Sequence, residues 1–139
     1  MNEREISMDD MIAVRRAVDR LLAGDLEPMI DLLAEDVRFE VAGGGDSPER
    51  RSASGRQAVA DYFSGLGELV AFWQIDYGAV DGQVIAWGRE RFRAEPCGLE
   101  GECEFALVFT LSRGRIKRFL VIEDLMAYFR RGGAARAAA

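Results

Sequence analysis

The chain has 139 residues, 49% apolar and 30% charged, with 18 basic against 24 acidic side chains and a net charge of −6. That length predicts one domain whose core needs no disulfide staples. The acidic balance argues against nucleic acid or an anionic membrane as partner, because both select basic surfaces.

Histidine is absent, which removes the usual neutral-pH base and the commonest metal ligand. Proton chemistry would have to come from Asp, Glu, Tyr, Cys or the single lysine, Lys117. Cys97 and Cys103 are too few, and wrongly spaced, for a disulfide framework or a zinc site. They read as reduced thiols used in packing, and no metal site is expected. The opening "MNEREISMDD" is acidic and polar, unlike a signal peptide. No apolar run approaches the length of a membrane span, so a cytoplasmic protein is expected.

In chain order, Ser7 to Ala23 predicts a first helix. Ser7 caps it, Asp9 and Asp10 suit its first turn, and Gly24 ends it. Met11, Val14, Val18 and Leu21 make one apolar stripe at helical spacing. Asp25 then caps a short second helix that tolerates Pro28 in its first turn and buries Leu26, Met29, Ile30 and Leu33. "AEDVRFEVAGGG" reads as a strand with Val37, Phe39 and Val41 inward, and Arg38 and Glu40 outward. "GGGDSPERRSAS" reads as an open loop. Its glycines lack the Gly-Lys-Ser/Thr of a phosphate loop and read as a flexible rim. Gly55 to Leu66 predicts a third helix with Val59, Tyr62, Phe63 and Leu66 on one side.

After Gly67 the period becomes two. Two strands meet at Asp81-Gly82, a hairpin signal. "PCGLEG" is the next turn. The strands "ECEFALVFTL" and "IKRFLVIED" join through Ser112-Arg113-Gly114, which fits a three-residue loop with a glycine bulge. "LMAYFRR" suits a short final helix, and residues 132–139 a frayed tail. Helices grouped before a run of antiparallel strands predict an α+β domain, with helices across one face of a curved sheet. A cone-shaped cavity between them would be the default ligand site.

The phrases "AGDLEPMIDLLAEDVRFEV", "GRQAVADYF" and "LVFTLSRGRIKRFLVIEDLMAYF" resemble the SnoaL-like branch of the nuclear transport factor 2-like superfamily. Ketosteroid isomerases, limonene epoxide hydrolases and polyketide cyclases share that fold. The resemblance covers about Ser7 to Phe129. It implies one domain over residues 1–131, with a cone-shaped, strongly curved, mostly antiparallel sheet. Three to four helices pack on its concave face, as in a cystatin-like α+β barrel. It also implies a homodimer and no cofactor. One fold hosts many chemistries, so the residues decide what carries over. By resemblance, Val41 stands where the isomerases hold their base. Ala17 and Leu107 match their oxyanion-hole tyrosine and neutral aspartate. The epoxide hydrolases' Arg-x-Asp has its nearest match in Arg91-Phe92-Arg93, and the last-strand acid of hydrolases and cyclases matches Val121. None of these matching positions supplies the family's carboxylate or tyrosine.

Strand alternation suggests replacements. Pairing Pro96 with Gly101 sets Arg93 opposite Glu104, Phe92 opposite Phe105 and Glu90 opposite Leu107. One face then carries Ala86, Gly88, Glu90 and Phe92 against Cys103, Phe105, Leu107 and Phe109, apolar except for Glu90 and Cys103. A carboxyl buried there would have a raised pKa and could work as a general acid or base. The competing reading is a glutamate in a structural ion pair. With a three-residue loop, Leu111 pairs with Arg115 and Leu107 with Phe119. Phe119, Val121 and Glu123 then face the cavity, Glu123 lies near Cys103, and Glu123 becomes a second catalytic candidate. A two-residue loop would turn that set outward. Tyr62, Phe63, Trp73 and Tyr77 are expected to line the cavity with Phe39 and Val41.

On the opposite face, Arg89, Arg91 and Arg93 against Glu102 and Glu104 suggest cross-strand ion pairs, and Trp87 with Val108 makes a half-apolar patch suited to a homodimer. Three functional readings stand. The first is a SnoaL-like protein that binds a small hydrophobic molecule and performs cofactor-independent isomerase, cyclase or hydrolase chemistry. The second is a non-catalytic ligand-binding or dimerisation module. The third is a domain whose cone is filled by Phe39, Phe92, Phe105, Phe109 and Phe119.

Overall fold

The computed structural model describes residues 5–43, 50–64, 69–94 and 99–123, with side chains except at 43, 50–51, 69–74, 90–94, 99–103 and 123. Helix α1 spans Met8–Leu22. Its start is fixed by Ser7, whose Oγ accepts from the Asp10 amide at 3.0 Å, and Asp9 and Asp10 favour the positive end of the helix dipole. Gly24 ends it at φ +91°. The Gly24 and Asp25 amides donate to the carbonyls of Leu21 (3.0 Å) and Arg20 (2.8 Å). This is a Schellman closure, and it needs the left-handed residue that glycine supplies. Helix α2 spans Glu27–Leu32 with Pro28 in its first turn. Asp25 assists from one place further out, its carboxylate accepting from the Glu27 amide at 3.3 Å. Helix α3 spans Arg56–Ser64.

Six strands follow the order β2-β1-β6-β5-β4-β3. They are β1 (Leu33–Gly43), β2 (Arg50–Ser54), β3 (Leu69–Val80), β4 (Gln83–Ala94), β5 (Leu99–Ser112) and β6 (Arg115–Glu123). All pairs are antiparallel except β1 with β6. The α+β class and the mostly antiparallel sheet are as expected. The barrel is not closed: β2 and β3 are the two edges of an open sheet.

Three local expectations change. The stretch read as an open loop contains β2, which pairs with β1 from Arg38↔Ser54 to Ala42↔Arg50. Its polar, serine- and arginine-rich composition suits an edge strand as well as a loop. The β4–β5 register sets Glu90 opposite Cys103 and Phe92 opposite Gly101, four residues from the expected pairing. An even slip keeps each face intact, so hydrophobic alternation had no power to reject it. The last hairpin has a two-residue turn, with Ser112 opposite Arg115. Arg113 and Gly114 both have positive φ, 54° and 75°, the type I′ geometry. Asp81 and Gly82 share it at 48° and 77°, as the sequence predicts.

That shorter turn does not turn the last strand inside out. The register shifts by one between Leu111↔Ile116 and Thr110↔Arg118, leaving Lys117 as an extra residue. The bulge lets Ile116 and Phe119, three apart, both be fully buried. Phe119 and Val121 therefore lie inward as expected.

The core is one cluster. Val14, Ala17 and Val18 of α1, Met29 of α2 and Val59 of α3 pack with inner-face strand residues from Val37 to Val121. Helices α1, α2 and α3 thus cover one sheet face, and no described helix covers the other. Arg56 ties α3 to the start of β1, donating to the Leu33 carbonyl at 3.1 and 2.8 Å. Arg115 donates to the Asp31 carbonyl of α2 at 2.8 Å.

Candidate functional site

The inner face is closed at one end by aromatic packing. Phe119 lies 4.6 Å from Phe109, 5.4 Å from Phe39 and 5.8 Å from Phe63, centroid to centroid. Tyr62 meets Phe39 edge-on at 5.2 Å and Phe63 at 5.1 Å. These geometries are the favoured ones for ring quadrupoles. Phe109 and Phe119 are fully buried, while Tyr62, Phe63 and Val41 are only partly covered. Beyond this cluster Val41, Val121 and Leu107 stand in one row across β1, β6 and β5, with Val121 and Leu107 buried and Val41 partly so.

The next inner row carries Gly43, Glu123, Phe105 and Gly88 on β1, β6, β5 and β4. One step further, Glu90 on β4 pairs with Cys103 on β5 and with Phe72 on β3. The two acids singled out from the sequence thus reach the same end of the sheet. Phe105 is opposite Glu123 on one side and opposite Gly88, two residues before Glu90, on the other. Cys103, expected beside Glu123, is instead opposite Glu90. The backbone positions of Glu90, Phe92, Cys103, Trp73 and Glu123 are described, but their side chains lie outside the described residues. Glu90 is in phase along β4 with the buried Val84 and Ala86. Phe105 (5% exposed) and Leu107 (4%) pack into the core at this point. Ala17 and Val121 do the same at 2% and 1%. The glycine rim at 44–45 and the "LMAYFRR" helix lie outside the described residues.

Tyr77 joins two elements. Its ring packs against the core, and its hydroxyl donates to Asp19 Oδ1 of α1 at 3.2 Å. The Arg15 guanidinium sits 4.9 Å from the ring centroid. Burial first, then the Asp19 charge and the hydrogen bond, push the Tyr77 phenol up to about 12, against the lowering effect of Arg15. The hydroxyl therefore stays protonated and serves as a tie between β3 and α1.

The outer face holds a feature the sequence did not reveal. Glu40, read as a solvated outer residue, is 4% exposed. Its two carboxylate oxygens accept from Arg118 Nε and a terminal Arg118 nitrogen, each at 3.1 Å. Arg38 Nε lies 3.2 Å away. The same face exposes two large apolar side chains, Trp87 at 44% and Ile122 at 41%. An open groove of about 590 Å³ runs beside Trp87, edged by Asp76, Arg89 and Glu104. Arg89 pairs with Glu104 across the strands at 3.3 Å, a cross-strand ion pair of the expected kind but with Arg89 in the place the expected register gave to Arg93.

Among the described residues no cluster of acidic or cysteine side chains could hold a metal ion. No described helix is long and apolar enough to cross a membrane.

An apolar sheet face covered by helices α1, α2 and α3 defines a cystatin-like α+β fold of the nuclear transport factor 2-like type. The model of the SnoaL-like domain matches residues 14–119, and the chain belongs to that family. Several solved structures share the fold. A candidate polyketide cyclase from Xanthomonas campestris pv. campestris superposes with a TM-score of 0.72 at 19% identity, over 94% of this chain and 99% of that one. A limonene-epoxide-hydrolase-like epoxide hydrolase from M. tuberculosis gives 0.68 at 20%, over 95% and 97%. A candidate isomerase from Bacillus subtilis gives 0.68 at 22%, over 94% and 96%. No curated protein matches the sequence. At such identities the likeness carries the fold and leaves the chemistry open.

Proposed function

We propose that this SnoaL-like domain binds a small hydrophobic molecule in a cone-shaped cavity on its inner sheet face and acts on it by cofactor-independent acid–base chemistry of isomerase, cyclase or hydrolase type. Glu90 is the proton-transferring group and Glu123 the second acid. The observation that carries this reading is the register around Phe105. It sets Glu123 opposite Phe105 and Glu90 one step beyond Gly88, at the margin of an otherwise apolar face. Phe39, Val41, Tyr62, Phe63, Leu107, Phe109, Phe119 and Val121, with Trp73, Phe92, Cys103 and Phe105, supply the apolar contacts.

A second reading has support of its own. Val41, Ala17, Leu107 and Val121 match positions where the resembled enzymes carry acids or a tyrosine, and none can move a proton. A non-catalytic ligand-binding module fits that pattern. In both readings two copies join through the outer face around Trp87 and Val108. The protein works as a cytoplasmic homodimer.

A thermal-shift screen with small terpenoid, steroid and polyketide-like compounds tests binding, since a ligand of the native state raises the unfolding temperature. The hit is then incubated with wild-type protein and with Glu90→Gln. Conversion by the wild type and loss of conversion in a variant that still binds support the catalytic reading. A hit that binds and is returned unchanged by the wild type selects the non-catalytic one.

A further inference from the structure

Two charged residues stand at opposite corners of the outer sheet face, which no described helix covers. The register gives one row across the sheet: Glu40, Leu120, Val108, Ile85 and Gly78. Arg38 lies two residues to one side of that row, on β1. Asp76 lies two residues to the other side, on β3 at the far edge, opposite Trp87. From strand and residue spacings the two corners are roughly 23 Å apart, with Val108 midway. The Arg38 side chain is 66% exposed although it touches Glu40. Asp76 is exposed and makes no ion pair among the described residues.

From this placement we infer that the outer face pairs with a second copy of this chain in one orientation, set by Arg38 of each copy meeting Asp76 of the other. The inference rests on the homodimer reading above and specifies its geometry. A two-fold axis lying in the contact plane through Val108, square to the Arg38–Asp76 diagonal, exchanges the two corners. Each copy then makes the contact once, as an isologous interface requires. The same operation lays Ile122 against its own copy and Trp87 over the neighbourhood of the Arg118–Glu40 pair. There the indole covers apolar stems and faces a guanidinium, a favourable arrangement for an aromatic ring. The strands of the two sheets cross steeply, in the orthogonal class of sheet packing. A copy turned so that like corners meet would set Arg38 against Arg38 and Asp76 against Asp76. Charge therefore selects among orientations that the apolar centre alone would tolerate.

The test is sedimentation equilibrium on the full chain at low and high salt, with wild type, Arg38→Gln, Asp76→Asn, the double variant and the charge swap Arg38→Asp/Asp76→Arg. Circular dichroism checks the fold of each. Each single variant should weaken the dimer roughly fivefold at low salt. The double variant should weaken it no further than either single one, and the swap should restore association. Additive losses, or a swap as weak as the singles, overturn the pairing. Trp87→Arg separates the two claims. If it breaks the dimer while the Arg38–Asp76 cycle is additive, the face stands as the interface and the corner pairing falls. A wild-type chain that stays monomeric at every concentration overturns both.

Discussion

Arg118 of β6 holds Glu40 of β1 with two hydrogen bonds of 3.1 Å each, across the parallel strand pair of the sheet. The carboxylate is 4% exposed, while the Arg118 side chain keeps 40% of its surface in water. The pair is thus half-solvated on one side only. Its members sit one step apart in register, Glu40 opposite Leu120 and Arg38 opposite Arg118. The parallel pairing brings the chain's first strand against its last, so this contact locks a long-range closure.

Removing the guanidinium takes two hydrogen bonds from a buried carboxylate and leaves it beside the more exposed Arg38. Arg118→Met should therefore lower stability by about 2–4 kcal/mol, somewhat under the loss expected when a fully buried pair is broken. Replacing both partners, as Glu40→Leu/Arg118→Leu, should recover much of that loss, because no charge is then stranded. Urea unfolding followed by circular dichroism measures both, through the midpoint at unchanged slope. A double variant as unstable as the single one would argue that the pair itself, and not the stranded charge, dominates.

Phe119 joins Phe39, Phe63 and Phe109 into one aromatic cluster and is fully buried. Phe119→Ala should cost about 3–5 kcal/mol, from lost transfer energy and from the cavity left where neighbouring rings cannot collapse. Phe119→Leu should cost roughly half as much by the same reasoning. Guanidinium unfolding gives the stability. Near-ultraviolet dichroism of the folded alanine variant should show the aromatic environment loosened.

The Tyr77 phenol should titrate near 12 in the folded protein, against 10.0 for an unperturbed tyrosine. The folded state binds that proton more tightly than the unfolded chain. Its contribution to stability is therefore complete below pH 10, declines as pH rises between 10 and 12, and is gone above. Tyr77→Phe should remove the highest-pH component of the phenolate absorbance titration. It should also cost about 0.5 kcal/mol near neutral pH, since a half-exposed hydrogen bond contributes modestly. A variant that keeps the full absorbance change near pH 12 would reassign it to another tyrosine.

Much of the local structure was legible in the residues. Ser7 and Gly24 marked the ends of α1 because a capping hydroxyl and a left-handed residue act within one turn of the chain. Asp81-Gly82 marked a hairpin for the same reason, since two residues with positive φ are a local demand. The apolar partners of the core, from Val14 to Val121, followed from helical and strand periods. So did the sharing of one phase by Glu90 and Val84, which alternation alone dictates.

The rest needed the folded sheet. Period-two alternation tells which face a residue takes but is blind to any even slip, so the register that puts Glu90 opposite Cys103 was beyond it. The two-residue turn at Arg113-Gly114 and the bulge at Lys117 each move the register by one residue in the same direction, an even total that keeps Phe119 and Val121 inward but sets Leu107 opposite Val121 instead of Phe119. Glu40 looked like any outward acid. It is buried because β6, 78 residues further along the chain at Arg118, lies beside it. The sequence by itself determined the elements other than β2, and the faces of its strands, through forces acting over a few residues. The tertiary structure alone decided which rows align, which acids share one end of the sheet with Phe105, and which charge is buried, because strand pairing depends on how the whole sheet closes over its helices.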